Sequence, residues 1–281
     1  MGIRTDLITE QQELHTETVS GAVTSERSIG AVKLKTVVIK DTDAAEQLGK
    51  PPGTYITAEY GNIISSGSEV SLKQAIISAL SQLIPTRSNI LVVGLGNRDI
   101  TPDAIGPLAV DRLFATRHIG RTLREQLGLE GLNSVSALIP GVLGKTGIEA
   151  VEIIRGTVQR TSPDAVIVID ALAARHTERL CRTVQLCNTG ISPGSGVENS
   201  RSEISEAVLG VPVTAIGIPT VVDIRTLIYD LTESAAPIST PMMVTPTDID
   251  LQIRRLAELL AQSLNMFLQP SLDEATLQSL V

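Results

Sequence analysis

Short aliphatic runs alternate with helix-like segments through the middle of the chain. Runs of Val, Ile, Leu and Ala stand near 90–95, 133–139, 164–169, 181–189 and 211–218, with segments typical of helices after 102, 147, 203 and 220. Continuous aliphatic runs are typical of buried parallel strands, and strand–helix alternation is typical of a sheet joined by right-handed crossovers. The pattern predicts an α/β fold, with a mostly parallel sheet and helices on both faces.

The flanking segments have weaker patterns. Two short strands are predicted at 31–40 and 54–60, and apolar residues repeat at helical spacing over 72–83 and again in a last helix, 247–268. The first 30 residues are largely polar, and they are expected to form a mobile N-terminal arm. Because composition does not change elsewhere, we expect one domain with an N-terminal extension.

Composition excludes several classes of function. The chain has 281 residues, of which 42% are hydrophobic but only 2% aromatic, with no Trp. A net charge of -8 and the scarcity of aromatic side chains argue against direct binding of nucleic acid. No apolar run approaches the length of about 20 residues that a membrane helix needs, so no membrane association is expected. Cys181 and Cys187 are predicted to lie on one face of one strand as buried, reduced thiols.

Three familiar motifs are incomplete here. Gly94 and Gly96 follow a strand as in a dinucleotide fingerprint, but Asp99 stands where the third glycine is required. The sequence 144–146 resembles the end of a phosphate-binding loop that lacks its first glycine. The sequence 190–194 matches a serine nucleophile elbow, yet no histidine follows it. The three histidines have no ligand spacing, and no cofactor or metal is predicted.

Two aspartates stand at the ends of predicted strands. Asp103 follows the run 89–97 through Thr101 and Pro102, and Asp170 follows 165–169 directly. Ligands bind at the carboxyl ends of parallel strands, so both carboxylates are expected at one edge of the sheet. Such a pair suits general acid–base hydrolysis, although a helix cap at Asp103 and a strand end at Asp170 remain open as purely structural roles.

A set of short motifs then points to a family. In order along the chain they are 4–7 (RTDL), 93–97 (VGLGN), 101–107 (TPDAIGP), 140–144 (PGVLG), 146–149 (TGIE), 169–175 (IDALAAR), 190–196 (GISPGSG), 216–223 (IGIPTVVD) and 243–246 (MVTP). Together they resemble the germination protease of spore-forming bacteria, from about residue 3 to the last helix. The resemblance implies a three-layer fold like that of phosphorylases and hydrogenase maturation proteases.

The resemblance also implies an activity. Family members are atypical aspartic endopeptidases that degrade small acid-soluble spore proteins during germination, in the cytoplasm of the spore core. The motifs place the two essential aspartates on Asp103 and Asp170. The resemblance further implies a homotetramer that needs no cofactor.

Glycine-rich segments are expected to border the aspartate pair. Gly94, Gly96 and Asn97 would let the backbone approach a substrate closely, or would form a plain strand-to-helix turn. Gly141, Gly194 and Gly196 follow other strands, as substrate-binding loops or as turns. Arg175 could hold a substrate carboxylate, or form an internal ion pair.

The resemblance also marks a processing point near the N-terminus. Family members are made as zymogens that remove a short N-terminal peptide, and the matching bond here joins Asp6 to Leu7, with Glu10 three places later. The expected division is a propeptide of residues 1–6 and a peptidase domain of residues 7–281.

Two alternatives remain open. The Gly-Leu-Gly-Asn strand end is similar to that of hydrogenase maturation endopeptidases, although no histidine stands where a nickel-recognition site would need one. A non-catalytic protein that binds a small ligand or assembles through the glycine loops would use both aspartates structurally.

Overall fold

Nine strands form one mixed sheet within the residues that the computed structural model describes, namely 5–15, 17–63, 67–86, 88–126, 128–129, 131–194, 202–232 and 242–280. The strands are β1 (Ala22–Ile29), β2 (Val32–Ile39), β3 (Gly53–Glu59), β4 (Asn89–Gly94), β5 (Ser134–Leu138), β6 (Ala165–Ala174), β7 (Thr183–Cys187), β8 (Val213–Asp223) and β9 (Met243–Val244). Their spatial order is β1-β2-β3-β7-β8-β6-β4-β5, and β9 pairs with β8.

The parallel part of the sheet is limited to four neighbouring strands. β5, β4, β6 and β8 pair in parallel, whereas the pairings along β1, β2, β3, β7 and β8, and the pairing of β9, are antiparallel. The α/β class is confirmed, with an antiparallel half added to the parallel core. The short turn between β1 and β2 explains their antiparallel pairing, because so short a connection can join only antiparallel neighbours.

Eleven helices connect or cover these strands in the described residues. They are α1 (Ile8–Glu13), α2 (Thr42–Leu48), α3 (Glu69–Leu83), α4 (Ile105–Val110), α5 (Arg121–Gln126), α6 (Leu143–Thr146), α7 (Ala150–Thr161), α8 (Glu206–Leu209), α9 (Ile224–Thr232), α10 (Ile249–Leu268) and α11 (Glu274–Ser279). The last predicted helix corresponds to α10, while α5 and α11 had no clear sequence signal. None of the described helices has the length and apolar character required to cross a membrane.

Successive residues of the central strands serve opposite faces of the sheet. On β4 and β6, Val92 and Ile167 pack with α3, α4 and α10. Their neighbours Val93 and Val168 pack on the other face, with α7 and α8. Both faces are therefore covered, which explains why these strands are aliphatic throughout, and helices lie on both faces as expected.

The N-terminal segment is part of the core, and the prediction of a mobile arm was wrong for it. Leu7 and Ile8 are both 0% exposed. Leu7 packs with residues of β6 and β8, including Leu172 and Val222, and Ile8 packs against β2, β3 and α2. The backbone N–H of Asp6 also donates to the carbonyl of Ala173, at 2.9 Å. Two large apolar side chains are enough to bury a segment whose remaining residues are polar.

Glu10 fixes this segment to the end of β6. Its side chain is 0% exposed, and its two carboxylate oxygens accept the backbone N–H groups of Arg175 at 2.7 Å and His176 at 3.0 Å. The hydroxyl of Thr5 donates to the same carboxylate, and the guanidinium of Arg179 lies 3.4 Å from it. A buried carboxylate is tolerated only when it is paired and hydrogen-bonded, and these donors meet that condition.

The two cysteines are buried free thiols, as predicted, but they do not share a strand face. Cys181 precedes β7 and packs with the α3 and α10 face, whereas Cys187 ends β7 and packs with Tyr55 on the opposite face. Burial raises the pKa of the Cys181 thiol to about 12 and also raises that of Cys187. Both side chains therefore remain protonated near neutral pH and act as packing residues.

Replacing Glu10 by Ala should destabilise the fold. The backbone N–H groups of Arg175 and His176 would lose a charged acceptor, at a cost of about 2–4 kcal/mol in the free energy of unfolding. Urea unfolding monitored by circular dichroism would measure this loss in the free energy of unfolding. The matched control is Glu13→Ala on the same helix, because the Glu13 side chain is 40% exposed and pairs with Arg179. Its loss should lower the free energy of unfolding by less than about 1 kcal/mol. Equal losses for the two variants would contradict the anchoring role of Glu10.

Candidate active site

Asp103 is held at the carboxyl end of β4 by the loop that follows the strand. The chain leaves β4 through Gly96 and Asn97 and enters a 3₁₀ turn, Thr101–Asp103, that leads into α4. The backbone N–H of Asn97 donates to Oδ2 of Asp103 at 2.7 Å, and the N–H of Asp103 donates to the carbonyl of Ile100 at 2.8 Å. Asp103 is half-buried, so its carboxylate is both positioned by the backbone and open to the cleft beside it.

Gly96 is required for this arrangement. Its φ is +111°, a conformation that residues with a side chain rarely adopt. A Cβ atom at this position would overlap the carbonyl oxygen of Asp103 and lie 3.0 Å from Oδ1 of its carboxylate. The glycine therefore allows the loop after β4 to fold directly onto the aspartate.

Asp170 lies within β6, because the strand continues beyond the expected end at Ile169 to Ala174. Only 6% of Asp170 is exposed, and its Oδ1 accepts the backbone N–H of Ala171 at 2.9 Å. One residue earlier, the carbonyl of Ile169 accepts the N–H of Leu95 at 2.8 Å, which ties the start of the Asp103 loop to β6. The strand backbone thus places the second aspartate beside the loop that carries the first.

The two aspartates line one cleft of about 330 Å³. Gly96, Gly141 and Gly194 also line it, as the sequence predicted for the loops around the pair. Gly141 and Gly194 have φ values of +78° and +74°, so both loops use backbone conformations that favour glycine. The loop after β4 and the second half of β6 therefore meet at one cavity, so both aspartates lie on the same side of the sheet edge as expected, although Asp170 does not end its strand.

Two further carboxylates line the same cleft. Asp6, from the N-terminal segment, and Glu149, at the start of α7, both border it. The Oδ2 atom of Asp6 accepts the backbone N–H of Ala173 at 2.9 Å, so this side chain is bound to β6 three residues after Asp170. Glu149 was not among the predicted site residues, although it ends one of the motifs that resemble the family.

The other predicted site residues have different positions. A Cβ atom at Gly94 would overlap the carbonyl of Gly106, so this glycine allows α4 to approach β4 and does not line the cleft. Asn97 takes part through its backbone N–H group. Gly196 lies outside the described residues.

Arg175 forms an internal ion pair. Its guanidinium donates twice to the carboxylate of Asp230, at 2.8 and 3.0 Å, and it lines neither cavity beside the aspartates. The sequence left an ion pair and substrate binding open for Arg175, and the structure shows the ion pair. We therefore omit Arg175 from the proposed substrate-binding residues.

Asp223 caps the start of α9. Burial would raise its pKa, but hydrogen bonds from the Arg225 side chain and from the backbone N–H groups of Arg225 and Thr226 outweigh burial, and the pKa is lowered. Its role as a helix-start acid agrees with the sequence interpretation.

A second cavity, of about 220 Å³, adjoins the first. Asp6, Asp170 and Gly194 border both cavities, and Gln185 of β7 lines only the second. Gln185 is 7% exposed and was missed from the sequence. The available signal was its position as a polar residue between Val184 and Leu186 in a strand that is otherwise suited to burial.

No group of three or more His, Cys, Asp or Glu side chains in the described part of the chain has the geometry to hold a metal ion. The arrangement that the residues do form is a pair of carboxylates at one cleft, each held by a backbone N–H group. Such a pair can exchange protons with a water molecule and with a carbonyl group between them.

Comparison with known proteins assigns the chain to a family. The family model described as germination protease matches residues 4–234. The chain belongs to the germination protease family. As a member of that family the protein is a protease, and the matched segment contains Asp6, Asp103, Asp170 and Gln185.

Relatives from several bacteria support the assignment. The chain is 40% identical over 321 residues to the germination protease of Caldanaerobacter subterraneus subsp. tengcongensis, covering 100% of this chain and 98% of the relative. It is 35% identical to that of Clostridium acetobutylicum, with 96% of each chain covered. It is 45% identical to that of Bacillus subtilis over 242 residues, covering 81% of this chain and 65% of the relative.

A solved structure with a partial likeness is the hydrogenase maturation protease HycI from Thermococcus kodakarensis. The likeness covers 66% of this chain and 98% of that one, at 20% identity and a TM-score of 0.40. At this level of similarity the likeness carries no argument about the site.

Replacing Gly96 by Ala should impair both the site and the fold. The new methyl group would displace Asp103, and the positive φ adds strain of about 1–2 kcal/mol, so protease activity should fall at least about tenfold. A peptidase assay and thermal unfolding would measure the two effects. Gly144→Ala in α6 is the matched control, because no atom lies within 4 Å of its added Cβ, and it should leave both properties unchanged. Full activity of Gly96→Ala would contradict the proposed support of Asp103.

Proposed function

We propose that this protease is an atypical aspartic endopeptidase in which Asp103 and Asp170 act together on a water molecule. The observation that carries the proposal is their position on one cleft, with Asp103 in the loop after β4 and Asp170 within the neighbouring parallel strand β6. The cleft is also bordered by the segment that contains the proposed processing bond, so a peptide already lies beside the pair.

Hydrolysis by such a pair needs the two carboxyl groups in different protonation states. The ionised carboxylate takes a proton from water, and the resulting hydroxide adds to the carbonyl carbon of the peptide bond. The protonated acid donates a hydrogen bond to the carbonyl oxygen while charge develops there. When the C–N bond breaks, a proton passes to the leaving amine, and the products are a new carboxylate and a new α-amine.

The proposed substrates are the small acid-soluble spore proteins that are degraded during germination, and the proposed location is the cytoplasm of the spore core. Both follow from membership of the germination protease family together with the sequence motifs. Glycine loops containing Gly96, Gly141 and Gly194 would let an extended substrate backbone approach the aspartates closely. Assembly as a homotetramer is proposed on the same resemblance.

Replacing either aspartate of the pair by Asn should abolish proteolysis while preserving the fold. We expect cleavage of a small acid-soluble spore protein, followed by mass spectrometry, to fall by about 10³-fold for Asp103→Asn and for Asp170→Asn. The control Asp99→Asn changes an exposed aspartate of the same loop, which pairs with Lys145 outside the cleft, and it should cleave at the parental rate. Parental activity in both folded pair variants would refute the mechanism.

The N-terminal peptide of residues 1–6 is proposed to be removed by the protease itself. Asp6 and the Asp103–Asp170 pair line the same cleft, while Leu7 and Ile8 are buried on the other side of the Asp6–Leu7 bond. Until the bond is cut, Asp6 occupies space beside the pair and competes with a substrate. This position supports a precursor of low activity, even though the peptide is short.

Incubation of an active preparation should therefore shorten the chain by residues 1–6. Intact-mass spectrometry should show a product that begins at Leu7, and cleavage of the spore protein should accelerate as this product accumulates. The Asp170→Asn variant should keep its full mass under the same conditions. A parent chain that cuts the spore protein while retaining residues 1–6 would show that self-processing at this bond does not occur.

A further inference from the structure

Gln185 forms hydrogen bonds with the backbone before and after the bond at which processing is proposed. Its Nε2 atom lies 3.2 Å from the carbonyl oxygen of Asp6, and its Oε1 atom accepts the backbone N–H of Ile8 at 2.7 Å. The carbonyl oxygen of Asp6 belongs to the Asp6–Leu7 peptide bond itself. One buried side chain therefore spans the proposed scissile bond from β7.

The orientation of this amide is determined by its partners. The N–H of Ile8 can only donate a hydrogen bond, so the oxygen of the Gln185 amide must face it. The NH₂ group is then directed at the carbonyl oxygen of Asp6, which can only accept. Neither contact would survive a rotation of the amide by half a turn.

Strand register places Gln185 and Asp170 on the same face of the sheet. Gly217 of β8 is the register partner of Asp170 on one side and of Gln185 on the other. Residues directly opposite each other on neighbouring strands point to the same face, so both side chains point to the face that holds the N-terminal segment. Two strand spacings, about 10 Å, separate their backbones, and the intervening Gly217 contributes no side chain.

We infer that Gln185 is a catalytic residue of this protease, the donor that stabilises the oxygen of the scissile carbonyl. The inference rests on the proposed cleavage of the Asp6–Leu7 bond by the aspartate pair and adds a specific donor to it. The carbonyl oxygen of Asp6 gains negative charge when the hydroxide from water adds to its carbon. A positioned N–H group at that oxygen stabilises the charge as it develops.

The step balances without any further reactant. One water molecule is consumed, its hydroxide becomes part of the new carboxylate of Asp6, and its proton ends on the new amine of Leu7. Gln185 donates a hydrogen bond throughout and exchanges no proton. It therefore complements the two aspartates, which move the protons.

The same donor serves a substrate that enters from outside. Once residues 1–6 have left, the place of the Asp6 carbonyl beside Gln185 becomes free for the carbonyl of another peptide. An acidic side chain that precedes the scissile bond would find the backbone N–H of Ala173, which now holds the carboxylate of Asp6 at 2.9 Å.

A purely anchoring role for Gln185 makes a different prediction, and the chain offers a matched comparison. The Gln11 side chain also donates an amide N–H to the N-terminal segment, at 3.2 Å from the carbonyl of Thr5, one peptide unit before the scissile one. If Gln185 only held the segment in place, loss of either amide would slow cleavage to a similar degree.

Single-turnover self-cleavage of the full-length chain separates the two roles. Gln185→Glu keeps an acceptor for the N–H of Ile8 but places a carboxylate where the donor was, and Gln185→Met removes both contacts. We expect both variants to cleave the Asp6–Leu7 bond about 10²-fold more slowly than the parent, as for loss of one donor to a developing oxyanion. Gln11→Met should change the rate less than about threefold, and thermal unfolding should show that all three variants are folded.

Cleavage of a small acid-soluble spore protein by processed enzyme gives the second readout. Processed Gln185→Glu, accumulated by long incubation, should show a kcat reduced by about 10²-fold with KM changed much less, because the contact strengthens in the transition state. If folded Gln185→Glu cleaves itself at the parental rate and has the parental kcat, the inference is overturned. The aspartate mechanism then stays intact. A parent protein that cleaves neither its own Asp6–Leu7 bond nor the spore protein would refute the proposed function, and this inference with it.

Discussion

The register between β6 and β8 is the constraint on which the site depends. Backbone hydrogen bonds fix Asp170 opposite Gly217, and the same strand β8 fixes Gly217 opposite Gln185. A shift by one residue would turn Asp170 toward the other face of the sheet, away from the N-terminal segment. Burial of the aliphatic residues of β6 on both faces prevents such a shift, because Val168 and Ile169 would exchange environments. The same packing that stabilises the sheet therefore determines the face to which Asp170 and Gln185 point.

The loop after β4 depends on β6 in turn. The hydrogen bond from Leu95 to Ile169 sets where the loop leaves the sheet, and Gly96 then allows the chain to fold back onto Asp103. Asp103 is thus placed by backbone contacts over a few residues, and Asp170 by the strand itself. Two carboxylates on separate elements meet with little dependence on mobile side chains, which keeps the cost of ordering the site low.

The features that could be predicted from the sequence are those that local pattern determines. The aliphatic runs identified β4 and β6, and the rule for strand ends then placed Asp103 and Asp170 at one edge, as the structure shows. Gln185 was missed because its hydrogen-bond partners, Asp6 and Ile8, are distant in sequence. The contact between Gln185 and Ile8 spans 177 positions, and no local periodicity encodes it.

The error at the N-terminus has a related cause. Composition is averaged over a segment, whereas burial there depends on two adjacent apolar residues, Leu7 and Ile8, and on one carboxylate, Glu10, that finds its donors at the far end of β6. The antiparallel half of the sheet was also hard to predict. β3 pairs with β7 across more than a hundred residues, and strand patterns do not specify partners.

These contacts divide the N-terminal segment into two parts at the Asp6–Leu7 bond. After that bond, Leu7, Ile8 and Glu10 are fully buried, and they attach the chain to β2, β3, β6 and β8. Before it, the described residues Thr5 and Asp6 are held by a few hydrogen bonds to Glu10, Gln185 and β6. Cleavage at this bond would release residues 1–6 and leave the core contacts of Leu7, Ile8 and Glu10 in place. If the aspartate pair cuts this bond as proposed, the chain can stay folded, because Leu7, Ile8 and Glu10, which anchor the segment in the core, lie on the retained side.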